Sequence, residues 1–372
     1  MSPRARATGK RRRTASERIR VGIVGCGNIA GPYARAIAAK PNLELVALTD
    51  LEPARAEALA REHGGWAVPT VDDLLGEDID LVVNLTFQGA HAGITRRSLE
   101  AGKHVHSEKP LALSSIEAWD LVDLARTRGL RLGCSPFTLM GEAQQTAWRE
   151  LRTGRLGTIR AVFAEVDWGW IETWHPAPVP FYEVGALIDV GVYPLTILTA
   201  VLGPARSVQS FGRTLKPDRV TKDGTPFHLD TPDFQVTLLE LEGGAVVRLT
   251  TTFYVGQHAR NYAAIDFHGD EGSLWLGHFS RFDAPVEFSE YGGKKYSAVP
   301  LVRPSTVGEM DWGRGVEDLA LAIAQDRPHR ATGEHAAHIV DIFMAAAESL
   351  RTGDAVTVAS SFPRPAPMSW AE

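Results

Sequence analysis

The most constraining feature of the sequence is a glycine-rich turn between a short apolar run and a helical pattern. In "VGIVGCGNIAGPYARAI", Gly25, Gly27 and Ala30 occupy the positions of a GxGxxA motif. The first glycine permits a tight turn, the second lets the backbone approach a pyrophosphate, and the small third residue lets helix and strand pack closely. A second apolar run ends in Asp50, about 20 residues further on, where an acid accepts hydrogen bonds from an adenosine ribose.

This pattern predicts a dinucleotide site. Its expected residues are Gly25, Gly27, Asn28, Ile29, Asp50 and Arg55. Asp50 would repel the 2′-phosphate of NADP, so NAD is the favoured cofactor over NADP, although Arg55 nearby could soften that repulsion. Two other interpretations stay open: the glycines could form a plain tight turn, and Asp50 could cap the helix that begins near Pro53.

The distribution of apolar runs predicts two kinds of architecture in one chain. From Ile19 to Phe137, short apolar runs alternate with helical stretches, which is typical of a parallel sheet covered by helices. After Phe137 the pattern becomes rich in strands, and Gly243-Gly244 separates two β-rich runs as in a hairpin. Helices return near the end. The predicted fold class is α/β, with a nucleotide-binding domain followed by an α+β domain whose sheet is mainly antiparallel.

Length and composition agree with two globular domains. A chain of 372 residues exceeds the roughly 250–300 residues that one core usually serves. The expected division is a basic tail (1–17), a nucleotide-binding domain (18–137) and an α+β domain (138–372). The tail is expected to be disordered, with attachment to nucleic acid or an anionic surface as the alternative.

Charge and cysteine usage exclude several classes of protein. The net charge is −6 although Lys10 to Arg13 are all basic, so the body of the chain is acidic and nucleic acid is not expected as the main partner. The two cysteines lack the spacing of a metal or redox pair, and no apolar run approaches the roughly 18 residues of a membrane span. We therefore expect a cytoplasmic protein without a membrane partner and without a metal site.

A charged tripeptide follows one of the predicted strands. Glu108-Lys109-Pro110, in "HVHSEKPLAL", lies at the carboxyl end of that strand, where open parallel sheets bind their ligands. The proline restrains Lys109 to an extended conformation. Oxidised nicotinamide nearby would lower the pKa of the lysine and let it polarise a substrate oxygen or relay a proton. An exposed Lys–Glu pair in a turn is the alternative.

A second polar group lies in "GALIDVGVYPL". Asp189 and Tyr193 are four residues apart, which predicts that they share one helix face, and a buried aspartate among apolar neighbours requires a partner. A tyrosine beside a cationic lysine can ionise below its usual pKa of about 10 and serve as an acid-base catalyst. The alternative is a satisfied core aspartate and a packed tyrosine.

Three segments together resemble the Gfo/Idh/MocA oxidoreductase family. They are "GIVGCGNIA", "HVHSEKPLAL" and "GALIDVGVYPLTIL", and the likeness extends over about residues 19 to 360. The resemblance implies a Rossmann domain followed by a domain with an open-faced sheet, NAD(P)-dependent hydride transfer at a carbohydrate CH–OH, and homodimers or homotetramers formed through the sheet. It also implies that Lys109, Asp189 and Tyr193 form the polar side of the pocket, and it allows a cis Lys109–Pro110 bond.

The resemblance also directs attention to the substrate and the pocket walls. Tyr193 stands where inositol-dehydrogenase-like members have histidine, which points away from inositol. Phe87 and its neighbours Thr86, Gln88 and His91 are expected near the nicotinamide. Aromatic side chains that could stack on a sugar follow in "DWGWIETWHPAPVPFY", although half of them could be core or interface residues: Trp168, Trp170, Trp174, His175 and Tyr182.

The resulting hypothesis is an NAD(P)-dependent dehydrogenase or reductase of a cyclic sugar or sugar derivative. Tyr193, aided by Lys109, takes the hydroxyl proton while Asp189 orients the reacting hydroxyl. Two alternatives remain: an enzyme that uses NAD to cleave glycosides through transient oxidation, and a non-catalytic dinucleotide sensor.

Overall fold

The first half of the chain forms a six-stranded parallel sheet. The computed structural model describes residues 18–372, so the predicted tail lies outside the described residues. The strands are β1 (Ile19–Val24), β2 (Leu43–Thr49), β3 (Trp66–Ala67), β4 (Leu81–Asn84), β5 (His104–Ser107) and β6 (Leu132–Cys134). Their order is β3-β2-β1-β4-β5-β6, which is the order of a dinucleotide-binding Rossmann sheet. All pairs are parallel, as the alternating pattern predicts.

Helices cover both faces of this sheet. They are α1 (Ala30–Ala38), α2 (Pro53–His63), α3 (Val71–Gly76), α4 (His91–Glu100) and α5 (Ser115–Thr127). Val21, Ile23 and Val83 are fully buried, because strands sandwiched between helices bury both faces. The hydroxyl of Ser114 accepts a hydrogen bond from Glu117 N–H and donates one to its carboxylate, so Ser114 caps the start of α5.

The second half builds a nine-stranded mixed sheet. Its strands are β7 (Ile159–Asp167), β8 (Ala205–Arg213), β11 (Phe234–Leu241), β12 (Val246–Thr252), β13 (Ile265–Gly269), β14 (Gly272–Leu276), β15 (Val286–Glu290), β16 (Ser297–Ala298) and β17 (Val356–Thr357). A separate two-stranded ribbon contains β9 (Asp218–Val220) and β10 (Pro226–His228). Among the described strands of the large sheet, only β7 and β12 pair in parallel, so the prediction of a mainly antiparallel sheet is confirmed.

Four helices lie before or shortly after β7, the first strand of this sheet. Two of them stand where the sequence predicts a single helix. The four are α6 (Glu142–Arg152), α7 (Val179–Val184), α8 (Ala186–Asp189) and α9 (Val192–Leu202). Asp189 is the last residue of α8 and Tyr193 is the second residue of α9. The prediction that they share one face of one helix is therefore wrong. The break coincides with Gly191, where an added Cβ would lie 2.6 Å from the carbonyl oxygen of Leu187.

The last two helices connect the halves. They are α10 (Arg314–Gln325) and α11 (Gly333–Thr352). Val316 and Leu319 of α10 share a core with Val21 and Ile23 of β1, and α11 packs against both α5 and β8. Helix α10 therefore packs into the core of the first domain, although it follows most of the second sheet in the chain. The domain boundary after Phe137 stays a prediction. Among the helices of residues 18–372, none is long and apolar enough to cross a membrane.

Candidate active site

The glycine turn leaves open backbone at the start of α1. Gly25 has φ +93°, and a Cβ there would lie 2.7 Å from the carbonyl oxygen of Leu85, so this position requires glycine. A Cβ on Gly27 would meet no atom within 4 Å, so the backbone there faces free space. No side chain of the described residues caps α1, whose first residue is Ala30 and whose N-cap is Ile29. Open backbone and an uncapped helix start are what a pyrophosphate group requires.

Asp50 orders this turn from the end of β2. Its Oδ2 accepts the N–H of Cys26 at 2.6 Å, and its Oδ1 accepts the N–H of Glu52 at 2.8 Å. The N-cap of α2 is Glu52, so Asp50 shapes the chain before the helix instead of capping it. Arg55 pairs with Glu52 at 2.7 Å. The guanidinium of Arg55 therefore contacts the neighbouring acid, and the ribose contact of Asp50 stays a prediction.

Lys109, Asp189 and Tyr193 meet between the two sheets. Lys109 Nζ donates to the backbone oxygen of Asp189 at 2.5 Å and to its Oδ1 at 2.8 Å. The same ammonium lies 5.6 Å from the centroid of the Tyr193 ring. The Lys109–Pro110 peptide bond is cis. The carboxyl end of β5, the end of α8 and the start of α9 thus bring the three expected catalytic residues together.

Burial and charge determine the protonation of this trio. Burial by itself lowers the pKa of Lys109, but the carboxylate of Asp189, assisted by Tyr193 and Glu108, raises that pKa above its ordinary value. Burial raises the pKa of Tyr193 to about 12, and the opposing effect of Lys109 is smaller. The expectation that Lys109 brings the pKa of Tyr193 below its usual value is therefore wrong in sign, because desolvation dominates. At neutral pH the structure holds an ammonium beside an intact phenol.

Glu108 faces the protein interior. Its Oε1 accepts the hydroxyl of Tyr33 at 2.6 Å, and its Oε2 accepts the N–H of Lys109 at 3.1 Å. The Tyr33 hydroxyl also lies 2.9 Å from Ser135 Oγ. Both carboxylate oxygens of Glu108 therefore accept hydrogen bonds, and Glu108 holds the backbone at Lys109 in place. Tyr33 has no signal in the sequence, because it contacts Glu108 across 75 residues.

His91 and Phe87, both expected near the nicotinamide, lie after β4 in different environments. His91 is buried, with Nδ1 2.7 Å from the carbonyl oxygen of Pro110 and Nε2 2.9 Å from that of Thr86. It thereby ties the end of β4 to the lysine loop, and burial lowers its pKa. Phe87, in contrast, is 67% exposed, and its ring lies over Gly89, where a Cβ would be 2.9 Å from Cε2. Phe87 is thus free to contact a ligand, whereas His91 supports the loop.

Residues 168–182, which we call the aromatic segment, run from Tyr193 toward the glycine turn. Trp168 stacks on Phe279 at 6.5 Å between ring centroids, and Phe279 stacks on Tyr193 at 5.8 Å. His175 Nε2 lies 3.5 Å from the amide nitrogen of Asn28. The segment therefore spans the cleft between the two domains. The sequence does not predict the contact of Phe279 with Tyr193, because no motif near Phe279 relates the two residues.

The remaining aromatic residues of the segment divide into exposed and buried ones. Trp170 and Trp174 are exposed, whereas Tyr182 is buried and donates its hydroxyl to Glu172 at 2.5 Å. Tyr182 is therefore a core residue, as one of the interpretations above allows. Within residues 18–372 no group of three or more His, Cys, Asp or Glu side chains could hold a metal ion.

Family models match both halves of the chain. The model described as "Oxidoreductase family, NAD-binding Rossmann fold" matches residues 19–135, and the model described as "GFO/IDH/MocA C-terminal domain" matches residues 144–275. Among solved structures, an oxidoreductase domain protein from Kribbella flavida aligns with TM-score 0.82 and 21% identity, over 92% of this chain and 100% of that one. At that identity the likeness concerns the fold.

Curated relatives include reductases and dehydrogenases of sugars. A dTDP-3,4-didehydro-2,6-dideoxy-alpha-D-glucose 3-reductase from Streptomyces violaceoruber is 35% identical over 54% of this chain, which spans 59% of that relative's length. The reductase of the same name from Actinomadura kijaniata is 31% identical over 69% of this chain and 74% of its own. The D-glucoside 3-dehydrogenase of Escherichia coli (strain K12) is 28% identical over 70% of this chain and 78% of its own.

Proposed function

The chain belongs to the Gfo/Idh/MocA oxidoreductase family, and from this premise we propose an NAD-dependent enzyme that transfers a hydride at a CH–OH carbon of a cyclic sugar or sugar derivative. The observation that carries the proposal is the enclosed contact of Lys109 Nζ with Asp189 Oδ1, 2.8 Å long and beside Tyr193. An ion pair with a purely structural role would not require a tyrosine ring 5.6 Å from the ammonium. Nor would it require a glycine turn with open backbone in the same cleft.

Each member of the trio has a distinct role in the proposed reaction. Bound nicotinamide supplies or accepts the hydride. Asp189 takes two of the three donor directions of Lys109 Nζ, which leaves one N–H for the substrate oxygen. In the reducing direction the phenol of Tyr193 donates its proton to that oxygen. In the oxidising direction Tyr193 acts as the base in its phenolate form, which its raised pKa makes a minor species at neutral pH. The phenolate receives the hydroxyl proton, and Lys109 stabilises the negative charge on the phenolate and on the substrate oxygen.

The preference for NAD over NADP rests on the acids around the ribose position. Asp50 would repel a 2′-phosphate, and Glu52 holds Arg55, the cation nearest in sequence that could offset the repulsion. The residues proposed to hold the dinucleotide are Gly25, Gly27, Asn28, Ile29, Asp50, Thr86 and Phe87, with Glu108 and His91 as supports and Lys109 at the nicotinamide end.

The names of the relatives narrow the proposed substrate. All three act at position 3 of a hexose ring, either in a dTDP-sugar or in a glucoside. We therefore propose carbon 3 of a pyranose as the reacting position. We propose that Trp168, Trp170, Trp174 and His175 line the sugar side. The likeness to a D-glucoside 3-dehydrogenase also favours one second candidate, glycoside cleavage that begins with oxidation at this carbon.

A screen with purified protein tests the proposal. NAD or NADP is offered with monosaccharides, anhydrosugars, glucosides and dTDP-sugars, and NADH with their 3-keto forms. We expect a change in reduced nicotinamide with at least one pyranose, and a lower KM for NAD than for NADP. Glycoside release without net NADH would favour the second candidate. Cofactor binding without turnover of any sugar would contradict both enzymatic candidates. The non-catalytic dinucleotide sensor would then be the remaining hypothesis.

A further inference from the structure

A buried polar cluster lies behind the aromatic segment. It consists of Arg219, Glu172, Tyr182 and Asp233, and we call it the Arg219 cluster. Arg219 donates through Nη1 to Glu172 Oε1 at 3.0 Å and to the Tyr182 hydroxyl at 2.9 Å, and through Nη2 to Asp233 Oδ2 at 2.7 Å. The side chains of Arg219 and Asp233 are 0% exposed and that of Glu172 is 8% exposed. Solvent therefore does not screen these contacts.

The cluster holds the aromatic segment near its beginning and at its last residue, Tyr182. The Tyr182 hydroxyl donates to Glu172 Oε2 at 2.5 Å and accepts the N–H of Ile171 at 3.1 Å. The guanidinium of Arg219 also lies 5.5 Å from the ring of Trp170. Three residues of the segment, Trp170, Glu172 and Tyr182, therefore contact one arginine.

The opposite side of the cluster is fixed to the second sheet. Asp233, next to the start of β11, accepts the N–H of Leu215 at 2.6 Å and that of Lys216 at 3.2 Å. Arg219 Nε donates to the carbonyl oxygen of Lys216 at 3.1 Å. Through Arg219, the aromatic segment is thus attached to the second sheet. His175, which lies between Glu172 and Tyr182, approaches Asn28 of the glycine turn.

Stability alone does not account for such an arrangement. Two carboxylates share one guanidinium out of contact with water, and apolar side chains of similar volume usually serve folding as well as a buried ion cluster does. What a charged cluster provides is directional bonding, which fixes the position of the groups that it joins. Here the groups joined are the sheet and the segment that carries Trp170, Trp174 and His175.

We propose that Arg219 is a positioning residue that, through Glu172 and Tyr182, holds the aromatic segment across the cleft so that the segment binds sugar and retains dinucleotide. Arg219 acts through these side chains and does not touch the reacting atoms. The sugar part of this inference rests on the proposed function, whereas the retention of dinucleotide does not require turnover.

The Glu172→Gln variant tests the proposal without removing the Arg219–Asp233 pair. We expect the KM for the sugar to rise by about tenfold while kcat stays within about twofold, because the segment contributes to binding and not to the chemical step. We also expect faster amide hydrogen exchange in residues 168–182 and a several-fold weaker affinity for NADH, followed by its fluorescence. Tyr182→Phe should act in the same direction.

A matched control separates positioning from stability. Glu142 is a buried glutamate that accepts hydrogen bonds from Arg314 and Arg303, outside the cleft. Glu142→Gln should lower Tm to a similar extent but leave the KM, NADH affinity and exchange of residues 168–182 unchanged.

Three results would overturn the inference: unchanged exchange in Glu172→Gln, increased exchange with wild-type KM and NADH affinity, or a loss of kcat at constant KM. If the wild-type protein turns over no sugar, the proposed function fails, and NADH affinity and exchange still decide this inference.

Discussion

At the scale of single residues, the charge of Lys109 depends on one neighbour. Its ammonium is largely enclosed and lies 2.8 Å from Asp189 Oδ1. Burial acts to lower the pKa of Lys109, and the carboxylate of Asp189 is the main reason that the pKa rises instead. Asp189 therefore keeps the lysine cationic in addition to fixing its direction.

We expect Asp189→Asn to move the alkaline limit of activity to lower pH. A lysine with a raised pKa keeps its charge until the pH rises through that value, and without the carboxylate, burial makes the loss begin earlier. The measurement is kcat/KM from about pH 6 to about pH 10. Asp120→Asn, which removes an exposed carboxylate paired with Arg96, should keep the wild-type profile. Superimposable profiles of Asp189→Asn and wild type would contradict this account of Lys109.

The two proton-bearing side chains should be separable from cofactor binding. We expect Lys109→Ala and Tyr193→Phe each to lower kcat by about 10²–10⁴-fold, because each removes a group that stabilises charge or moves a proton. The Tyr193→Phe variant keeps the ring that stacks on Phe279, so its affinity for NADH should stay within a few-fold of wild type. Tyr291→Phe, at an exposed turn, serves as the control. Wild-type turnover in either variant would refute the mechanism.

The residues of the trio could be predicted from the sequence, but their neighbours could not. Motif position indicates Lys109, Asp189 and Tyr193, and the structure brings them together. The contacts of Tyr33 with Glu108 and of Phe279 with Tyr193 join distant parts of the chain, so no local pattern encodes them. The pKa of Tyr193 depends on how completely the fold buries it, which a residue list does not reveal.

At the scale of elements, the two glycines of the first turn have different reasons to be glycine. We expect Gly25→Ala to destabilise the fold by about 1–3 kcal/mol, because a positive φ and a contact with Leu85 both oppose a side chain. Gly27→Ala should leave stability nearly unchanged, since its Cβ meets no protein atom, but should weaken NAD binding by filling the space proposed for the pyrophosphate.

Thermal unfolding and calorimetric titration with NAD measure these two effects. Gly93→Ala on α4, where a Cβ would also meet nothing within 4 Å, is the matched control and should stabilise by about 0.5–1 kcal/mol without affecting NAD. Normal NAD affinity in Gly27→Ala would argue against a pyrophosphate at this turn.

Element boundaries show where sequence patterns become insufficient. Helix α6 (Glu142–Arg152) has local signals, because it combines an amphipathic pattern with Gly154 shortly after its last residue. The segment from Gly185 to Leu195 is apolar apart from Asp189 and Tyr193 and gives no such signal. Its division into α8 and α9 depends on the approach of Gly191 to Leu187 and Thr251, which belongs to tertiary packing.

At the scale of the whole molecule, the nine-stranded sheet exposes apolar side chains on one face. Register places Phe163, Leu238, Phe211 and Val246 on the same face, and all four are exposed. Apolar residues that share an exposed sheet face are typical of a subunit interface. This is the face through which we propose a homodimer or homotetramer.

Light scattering after size-exclusion chromatography tests the interface. We expect the wild-type protein to be a dimer or tetramer and Leu238→Glu to shift it toward the monomer, because an interface that buries a carboxylate without a partner is weakened. Ile116→Glu, a change of an exposed apolar residue on α5, should not alter the mass. A wild-type monomer, or equal behaviour of the two variants, would contradict the proposed interface.

The division into two sheets follows from the sequence, but the path of the chain between them does not. Alternation of apolar runs and helices up to Phe137 predicts the parallel sheet, and the pair Gly243-Gly244 predicts the β11–β12 hairpin of the second sheet. The return of α10 into the first core has no local signal, because Val316 and Leu319 form an amphipathic stripe that would suit either sheet.

Transfer of deuterium tests the central claim most directly. Pyranosides and dTDP-sugars deuterated at carbon 3 are incubated with the protein and NAD, and the nicotinamide is analysed by mass spectrometry. The account predicts deuterium in the reduced nicotinamide with wild-type protein and transfer that is at least about 10²-fold slower with Lys109→Ala. Binding of NAD without deuterium in the nicotinamide, for every sugar offered, would contradict it.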